Sequence, residues 1–153
     1  MTPPLVTASG RRFHELMPHT FAHDHIGITL TPGDLDATVD WYASKLDFTL
    51  ERRFDAHGIT FAFITNGNVK IELMSAASRR KGASIDNILT SFDPERLHHI
   101  CLAVEDLDTT LFQLAERDVP SLADPMEVPE IGQRIGFITD NTGNIIELTE
   151  PGT

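Results

Sequence analysis

The sequence predicts an α+β fold built from two tandem β-α-β-β-β modules. The first observation is a His and Glu pair that occurs twice: 47 residues separate His25 from Glu72, and 48 separate His99 from Glu147. The second is that the apolar residues after each histidine alternate as they do in a strand. The third is that a helical pattern and then β-rich runs follow each of these strands. An internal repeat of about 75 residues is therefore predicted.

The first strand of each module is predicted to begin at its histidine. In residues 25–30 the branched apolar side chains occupy one face, and His25 shares the other face with Gly27 and Thr29. Residues 99–104 repeat this pattern, with Cys101 and an alanine on the face of His99. Because successive side chains of a strand point to opposite faces, both histidines are predicted to face an open cavity bordered by small residues.

A helix is predicted after each of these strands. The first turn of each helix is acidic, which suits the helix dipole, and Asp34 and Asp106 are the predicted N-caps. The apolar stripe of each helix has helical spacing; it comprises Leu35, Val39, Tyr42 and Leu46 in the first module, and Leu107, Leu111 and Leu114 in the second.

The remaining strands are predicted from β-rich runs between turn-forming pairs. In the first module, residues 49–54, 60–65 and 69–74 are separated by His57-Gly58 and Asn66-Gly67, which favours an antiparallel meander. In the second module, residues 135–139 and 144–149 flank a turn at 140–143. The predicted division is an arm at 1–22, a first module at 23–75, a linker at 76–96 with a short helix near 85–92, and a second module at 97–153. Residues 23–150 form the predicted single domain.

Composition restricts the classes of partner. The formal net charge of −11 argues against binding to nucleic acid or an anionic membrane, because such binding relies on basic surface. A small-molecule substrate is therefore predicted. No apolar run approaches the length that spans a bilayer, and the first residues lack the pattern of a secretory signal. Together with the single cysteine, Cys101, these features predict a cytoplasmic protein.

The repeated pair predicts a metal site. Imidazole nitrogen and carboxylate oxygen are both ligands of divalent cations, and one of each per module gives a set related by a pseudo-twofold axis. His25, Glu72, His99 and Glu147 are therefore the predicted ligands of one divalent ion. Mixed nitrogen and oxygen ligands accept zinc, manganese, cobalt, nickel or iron(II), so the sequence leaves the identity of the metal open.

These features resemble the vicinal oxygen chelate superfamily, over roughly residues 23–150. The resemblance rests on a histidine that opens each module's first strand, a glutamate in each module's last strand, and the turn Asp140 to Asn144. It implies two β-α-β-β-β units that form a partly open eight-stranded barrel around one metal, and often a homodimer. The four predicted ligands match the glyoxalase I and methylmalonyl-CoA epimerase branches of that superfamily.

The resemblance implies a metal-dependent epimerase or isomerase as the leading function. A substrate with two neighbouring oxygens would chelate the metal, which stabilises the enolate formed when a proton is removed. Glu72 and Glu147 are the predicted catalytic bases. The substrate would be an acyl-CoA such as methylmalonyl-CoA, or a hydroxyketone such as a cyclitol. A glyoxalase I-like lactoylglutathione lyase is the first alternative, and an antibiotic-binding resistance protein or a dioxygenase of the same fold is a further one.

Several other residues have competing interpretations. His23 shares strand parity with His25 and is its main rival as a ligand, whereas His98 has the opposite parity to His99. Cys101 is expected to be a packing residue rather than a nucleophile. Asp55 and His57 are interpreted as solvated loop residues, with a second acid or base as the alternative. The basic run Arg79-Arg80-Lys81 is interpreted as solvated surface, with the phosphates of coenzyme A or the carboxylates of glutathione as the alternative ligands.

Overall fold

The computed structural model describes residues 22–76, Ile88 and residues 97–152. The predicted arm before residue 22, the short helix near 85–92 and Arg79-Arg80-Lys81 lie outside this range, apart from Ile88 itself. The described elements, in chain order, are β1 (Ile26–Leu30), α1 (Asp34–Leu46), β2 (Thr49–Ala56), β3 (Ile59–Asn66), β4 (Val69–Ala76), β5 (His99–Ala103), α2 (Leu107–Glu116), β6 (Met126–Val128), β7 (Gln133–Thr139) and β8 (Ile145–Pro151).

The α+β class and the tandem β-α-β-β-β order are confirmed. The strands form two four-stranded sheets with the equivalent orders β1-β4-β3-β2 and β5-β8-β7-β6. In each sheet the first strand pairs in parallel with the last, and the other pairs are antiparallel. The two sheets are not joined into one closed barrel in the described part of the chain.

One face of each sheet packs under the helices and forms a core shared by both modules. In β1 the branched residues are buried or half-buried while Gly27 and Thr29 are exposed, and β5 shows the same alternation. The predicted helix stripes are confirmed: Leu35, Tyr42, Leu107 and Leu114 are buried, and the remaining stripe residues pack against them. The opposite face of each sheet, which carries the histidines and glutamates, is left open.

Two local predictions need correction. The N-cap of α1 is Gly33 rather than Asp34. The backbone at Gly33 is left-handed, with φ of 90°, and this conformation favours glycine. Asp34 is the first helical residue and its carboxylate accepts from the Thr31 hydroxyl. The second hairpin turn of the first module consists of residues 67–68, since Asn66 already pairs with Val69. Asp106 caps α2 as predicted, and its side chain accepts from the Thr109 amide at 2.7 Å.

The turn between β7 and β8 holds the two modules together. The Asp140 side chain is buried and accepts five hydrogen bonds, four of them from its own turn and one from the Tyr42 hydroxyl of α1 at 2.9 Å. Asn141 also donates to the hydroxyl of Thr38, on the same helix. The turn on which the family resemblance partly rests is therefore a structural contact between modules, on the helical side of the sheets.

Candidate metal centre

Each module places its histidine and its glutamate next to each other on the open face of its sheet. The Nε2 atom of His25 lies 3.5 Å from Oε2 of Glu72, and Nε2 of His99 lies 3.4 Å from Oε2 of Glu147. Each histidine side chain is about one-third exposed, while the glutamates are mostly buried. Parallel pairing of the first and last strands produces this contact, because the residue two positions after each histidine lies opposite the glutamate of its module. The two half-sites are geometric equivalents.

The distances within each pair suit two ligands of one metal ion. Two donors bound tetrahedrally to zinc at about 2.1 Å lie roughly 3.4 Å apart, which matches both separations. Neutral imidazole nitrogen with carboxylate oxygen is also a donor combination that first-row divalent metals accept. Each pair therefore fits half of a metal coordination shell.

The structure brings together the members of each pair but not all four side chains. Within residues 22–76, 88 and 97–152, no three His, Cys, Asp or Glu side chains are grouped closely enough to hold one ion. The shared four-ligand site that joins both half-sites thus stays a prediction.

The other nitrogen of each histidine has a partner that the sequence analysis missed. Nδ1 of His25 lies 2.6 Å from a carboxylate oxygen of Asp24, and this hydrogen bond is the main cause that lowers the pKa of Asp24. In the second module, Nδ1 of His99 lies 2.9 Å from Nδ1 of His98. Such partners fix the orientation of a metal-binding imidazole. The repeat offset of 74 residues pairs Asp24 with His98, and that offset was the available signal.

The residue beside each glutamate differs between the modules. On the neighbouring parallel strand, Gly27 lies opposite Glu72 in the first module, and Cys101 lies opposite Glu147 in the second. The Cys101 thiol donates to Oε1 of Glu147 at 3.3 Å. Burial first, and then this contact with Glu147, raises the pKa of Cys101 to about 11. A thiol that is protonated at neutral pH is a poor nucleophile, in agreement with the expectation that Cys101 is not one. Cys101 is nevertheless exposed on the open face of the sheet and does not pack in the core.

A phenylalanine flanks each histidine ring. Phe63 lies edge-on to His25 at a centroid distance of 5.5 Å, and Phe137 lies edge-on to His99 at 6.3 Å. Phe63 pairs directly with Glu72, and Phe137 pairs with Glu147. Each half-site therefore has one apolar wall in the same position.

The remaining candidates lie elsewhere. His23 lines a separate cavity of about 590 Å³ on the helical side, together with residues such as Lys45 and Arg117. Asp55 is exposed and accepts from the Thr60 hydroxyl, and His57 occupies the two-residue turn after β2 with φ of 53°. Both residues are exposed, as interpreted, but only His57 lies in a turn; Asp55 belongs to strand β2 and not to a loop. No described helix has the length and hydropathy that a bilayer span requires.

A family model, proteins of similar sequence and a similar solved structure all relate this chain to glyoxalase-type proteins and epimerases. Residues 22–148 match the model of the Glyoxalase/Bleomycin resistance protein/Dioxygenase superfamily. Human mitochondrial methylmalonyl-CoA epimerase is 24% identical over 131 residues, which cover 83% of this chain and 72% of that protein. An ethylmalonyl-CoA/methylmalonyl-CoA epimerase from Cereibacter sphaeroides is 34% identical over 97 residues, which cover 62% of this chain and 65% of that protein. The crystal structure of a glyoxalase family protein from Enterococcus faecalis superposes with a TM-score of 0.69 at 20% identity, covering 84% of this chain and 97% of that one.

Proposed function

The chain belongs to the Glyoxalase/Bleomycin resistance protein/Dioxygenase superfamily, and on that premise we propose that it is a metal-dependent epimerase that moves a proton α to a carbonyl group. The observation that carries the proposal is the duplicated His and Glu pair, with nearly equal donor distances in both modules. The epimerase names of the similar proteins favour an acyl-CoA substrate such as methylmalonyl-CoA. The proposed functional unit is residues 23–150, with 1–22 as an arm and 76–96 as a linker.

In this proposal His25, Glu72, His99 and Glu147 hold one divalent ion. When bound, that ion would supply a Lewis acid for the two neighbouring oxygens of the substrate. Asp24 and His98 hold the two imidazole rings, so that each Nε2 atom stays directed at the open face. Zinc, manganese, cobalt, nickel and iron(II) all remain compatible with this donor set.

The two glutamates are suited to move the proton. They come from opposite modules, so one carboxylate would remove the α-proton from one face of the substrate and the other would return a proton to the opposite face. Their surroundings suggest different mobility. Cys101 donates to Glu147, whereas a Cβ at the equivalent Gly27 would lie 3.8 Å from Oε2 of Glu72, so glycine leaves space there. We assign Glu72 as the more mobile carboxylate and therefore as the first base.

Solvent deuterium exchange tests the assignment of bases. Methylmalonyl-CoA is incubated in deuterated buffer with the metal-loaded protein, and incorporation at the α-carbon is followed by NMR. Glu72→Gln and Glu147→Gln should each abolish the exchange, while Glu116→Gln, an exposed position on α2, should leave it unchanged. Full exchange in both glutamate variants would exclude these residues as bases.

Metal content and a wider substrate panel test the function class. The purified protein should contain a divalent metal in stoichiometric amount or take it up on reconstitution. Failure to bind metal would remove the enzyme proposal and leave a ligand-binding resistance protein. Exchange on hydroxyketones alone would replace the acyl-CoA substrate, and turnover of a glutathione hemithioacetal would replace the epimerase with a lactoylglutathione lyase.

The proposed assembly is a homodimer. The open faces of both sheets leave the half-sites partly exposed, with each histidine side chain about one-third accessible. Sedimentation of the protein with and without added metal should give the mass of two chains. A monomer in both conditions would exclude the dimer without affecting the exchange test.

A further inference from the structure

The open face of the first sheet carries three phenylalanines next to the His25 and Glu72 half-site. We call Phe54, Phe61 and Phe63 the aromatic shelf. The rings of Phe54 and Phe61 are stacked, with centroids 4.9 Å apart and planes at 9°, and Phe54 also lies nearly parallel to Phe63 at 6.3 Å. Phe63 in turn contacts the His25 ring. The aromatic shelf is thus continuous with the half-site.

A row of side chains crosses the sheet from the half-site over the shelf. Strand register places Glu72 opposite Phe63, and Phe63 opposite Arg52. Neighbouring strands are about 4.8 Å apart, so the backbones of Glu72 and Arg52 are roughly 10 Å apart. The row therefore runs from a metal ligand, over an aromatic ring, to a cation.

The cation in this row is Arg52. Its guanidinium lies 5.9 Å from the centroid of Phe54, and in the part of the chain that the structure describes it forms no ion pair. The next residue, Arg53, lies on the opposite face and pairs with Asp36. In a chain of net charge −11, an exposed arginine that pairs with no described acidic side chain on the open face of the sheet provides a site for an anion.

The internal repeat shows that most of this surface is specific to the first module. The phenylalanine next to the histidine occurs in both modules, as Phe63 and Phe137. The stacked pair Phe54 and Phe61 is replaced by Met126 and Ile135, which occupy the same cross-strand position in the second sheet. A feature needed only to build the metal half-site would be expected in both modules. The extra rings therefore have a role that the second half-site lacks.

We propose that the aromatic shelf and Arg52 bind a planar ring that carries an anionic group, beside the half-site at which the proposed function places the reacting carbon; the backbones of Arg52 and Glu72 are roughly 10 Å apart. The ring would contact the exposed edge of the shelf at Phe54, and the anion would pair with Arg52. Two sources share this chemistry: the adenosine phosphate end of an acyl-CoA, or an aryl carboxylate that is itself the substrate. The inference rests on the proposed function only for the position of the reacting carbon.

The test measures binding of two probes to the full chain, with its metal content determined alongside. Adenosine 3′,5′-bisphosphate represents the first source and 3-phenylpropionate the second, and NMR titration or calorimetry gives the Kd. Arg52→Gln should weaken the bound probe about fivefold, the upper end for an exposed ion pair. Phe54→Leu should weaken it about threefold, since it removes one aromatic contact.

Matched positions provide the controls. Arg53→Gln removes a cation from the same strand on the opposite face, and Met126→Leu alters the equivalent of Phe54 in the second module; neither should change the Kd. Adenosine without phosphate should bind more weakly than the bisphosphate and should be insensitive to Arg52→Gln, because it carries no anion.

The outcomes separate the possibilities. Specific binding of the bisphosphate supports a coenzyme as the source, and specific binding of the aryl carboxylate supports the substrate itself. Equal binding of the probe by the wild type, Arg52→Gln and Phe54→Leu overturns the proposal. So does a dimer that dissociates on Phe54→Leu while probe binding is unchanged, because the shelf would then be an interface between copies. Probe binding without α-proton exchange would contradict the proposed function but retain the shelf.

Discussion

Replacement of Tyr42 by phenylalanine tests whether the contact between α1 and the β7–β8 turn stabilises the fold. Tyr42 is fully buried and donates to Asp140 at 2.9 Å. A hydrogen bond to a charged acceptor contributes roughly 1.5–3 kcal/mol. Asp140 keeps four other donors in the variant, so the acceptor is not left unsatisfied. The expected loss in the free energy of unfolding at neutral pH is therefore about 2 kcal/mol.

The same contact makes a prediction about alkaline pH. Burial, together with the neighbouring carboxylate of Asp140, raises the pKa of Tyr42 well above its ordinary value of 10.0. A group with a raised folded-state pKa contributes stability that is present below its unfolded pKa and is lost as the pH rises toward the folded value. Wild-type stability should therefore fall above about pH 10, by up to roughly 1.4 kcal/mol per pH unit. Tyr42→Phe lacks this loss, so the difference between the two proteins should shrink to less than about 1 kcal/mol by about pH 11.

Urea unfolding monitored by tryptophan fluorescence gives these free energies. The single tryptophan, Trp41, lies edge-on to Tyr42 at 5.1 Å and reports directly on this region. Tyr42 is also the only tyrosine, so tyrosinate absorbance follows its ionisation alone. When the pH is raised, the tyrosinate absorbance should increase only as the protein unfolds. An unchanged urea midpoint in the variant, or ionisation of Tyr42 near pH 10.0 in the folded protein, would refute the reasoning.

Three further perturbations follow from the half-sites and the second helix. Asp24→Asn should weaken metal binding about tenfold or more by calorimetry, because it removes the carboxylate that orients His25; unchanged affinity would contradict that role. Gly27→Ala should slow α-proton exchange while leaving the unfolding free energy nearly unchanged, since the new Cβ would lie near Glu72 and 3.0 Å from the flexible end of Met74; wild-type exchange would argue against Glu72 as the mobile base. Asp106 has a pKa lowered chiefly by its hydrogen bond to the helix, so the stability it confers is present above about pH 4 and is lost as the pH falls. Asp106→Ala should lower the Tm at neutral pH and have less effect in acid, and an equal effect at both pH values would contradict the capping role.

The fold could be predicted from sequence because its signals are local and occur twice. The alternation of apolar residues after His25 and His99 predicts strands β1 and β5 and their open faces. The apolar stripes of the helices predict which helix face packs in the core. The predicted N-cap of α1 lies one residue too far along the chain, because the acidic first turn begins at Asp34 whereas the cap itself is the left-handed Gly33. Strand β6 could not be located from sequence, because its three residues are too few to form a periodic pattern.

For the candidate site, the His and Glu contact within each module could be predicted from sequence, but its supporting contacts could not; the joint four-ligand site stays a prediction. The repeat spacing identified the four donors, and the structure pairs them within each module. The contacts of Asp24 and His98 could not be predicted, because strand parity directs each away from its neighbouring histidine and does not describe contacts between the side chains of adjacent residues. The aromatic shelf required cross-strand register, which depends on the bulge between Leu50 and Arg52. A bulge of one residue changes the face of every side chain beyond it, and no local signal marks it in the sequence.

The distribution of the aromatic shelf also bears on the history of the chain. Two copies of a single ancestral module, associated symmetrically, would carry any ring at the position of Phe54 on both sides of their symmetry axis. Covalent fusion of the copies removes that constraint, since each half can then change independently. The first module holds the shelf while the second holds Met126 and Ile135 in the equivalent positions. Fusion of two copies therefore lets the His and Glu pairs stay symmetric while the surface beside them becomes one-sided.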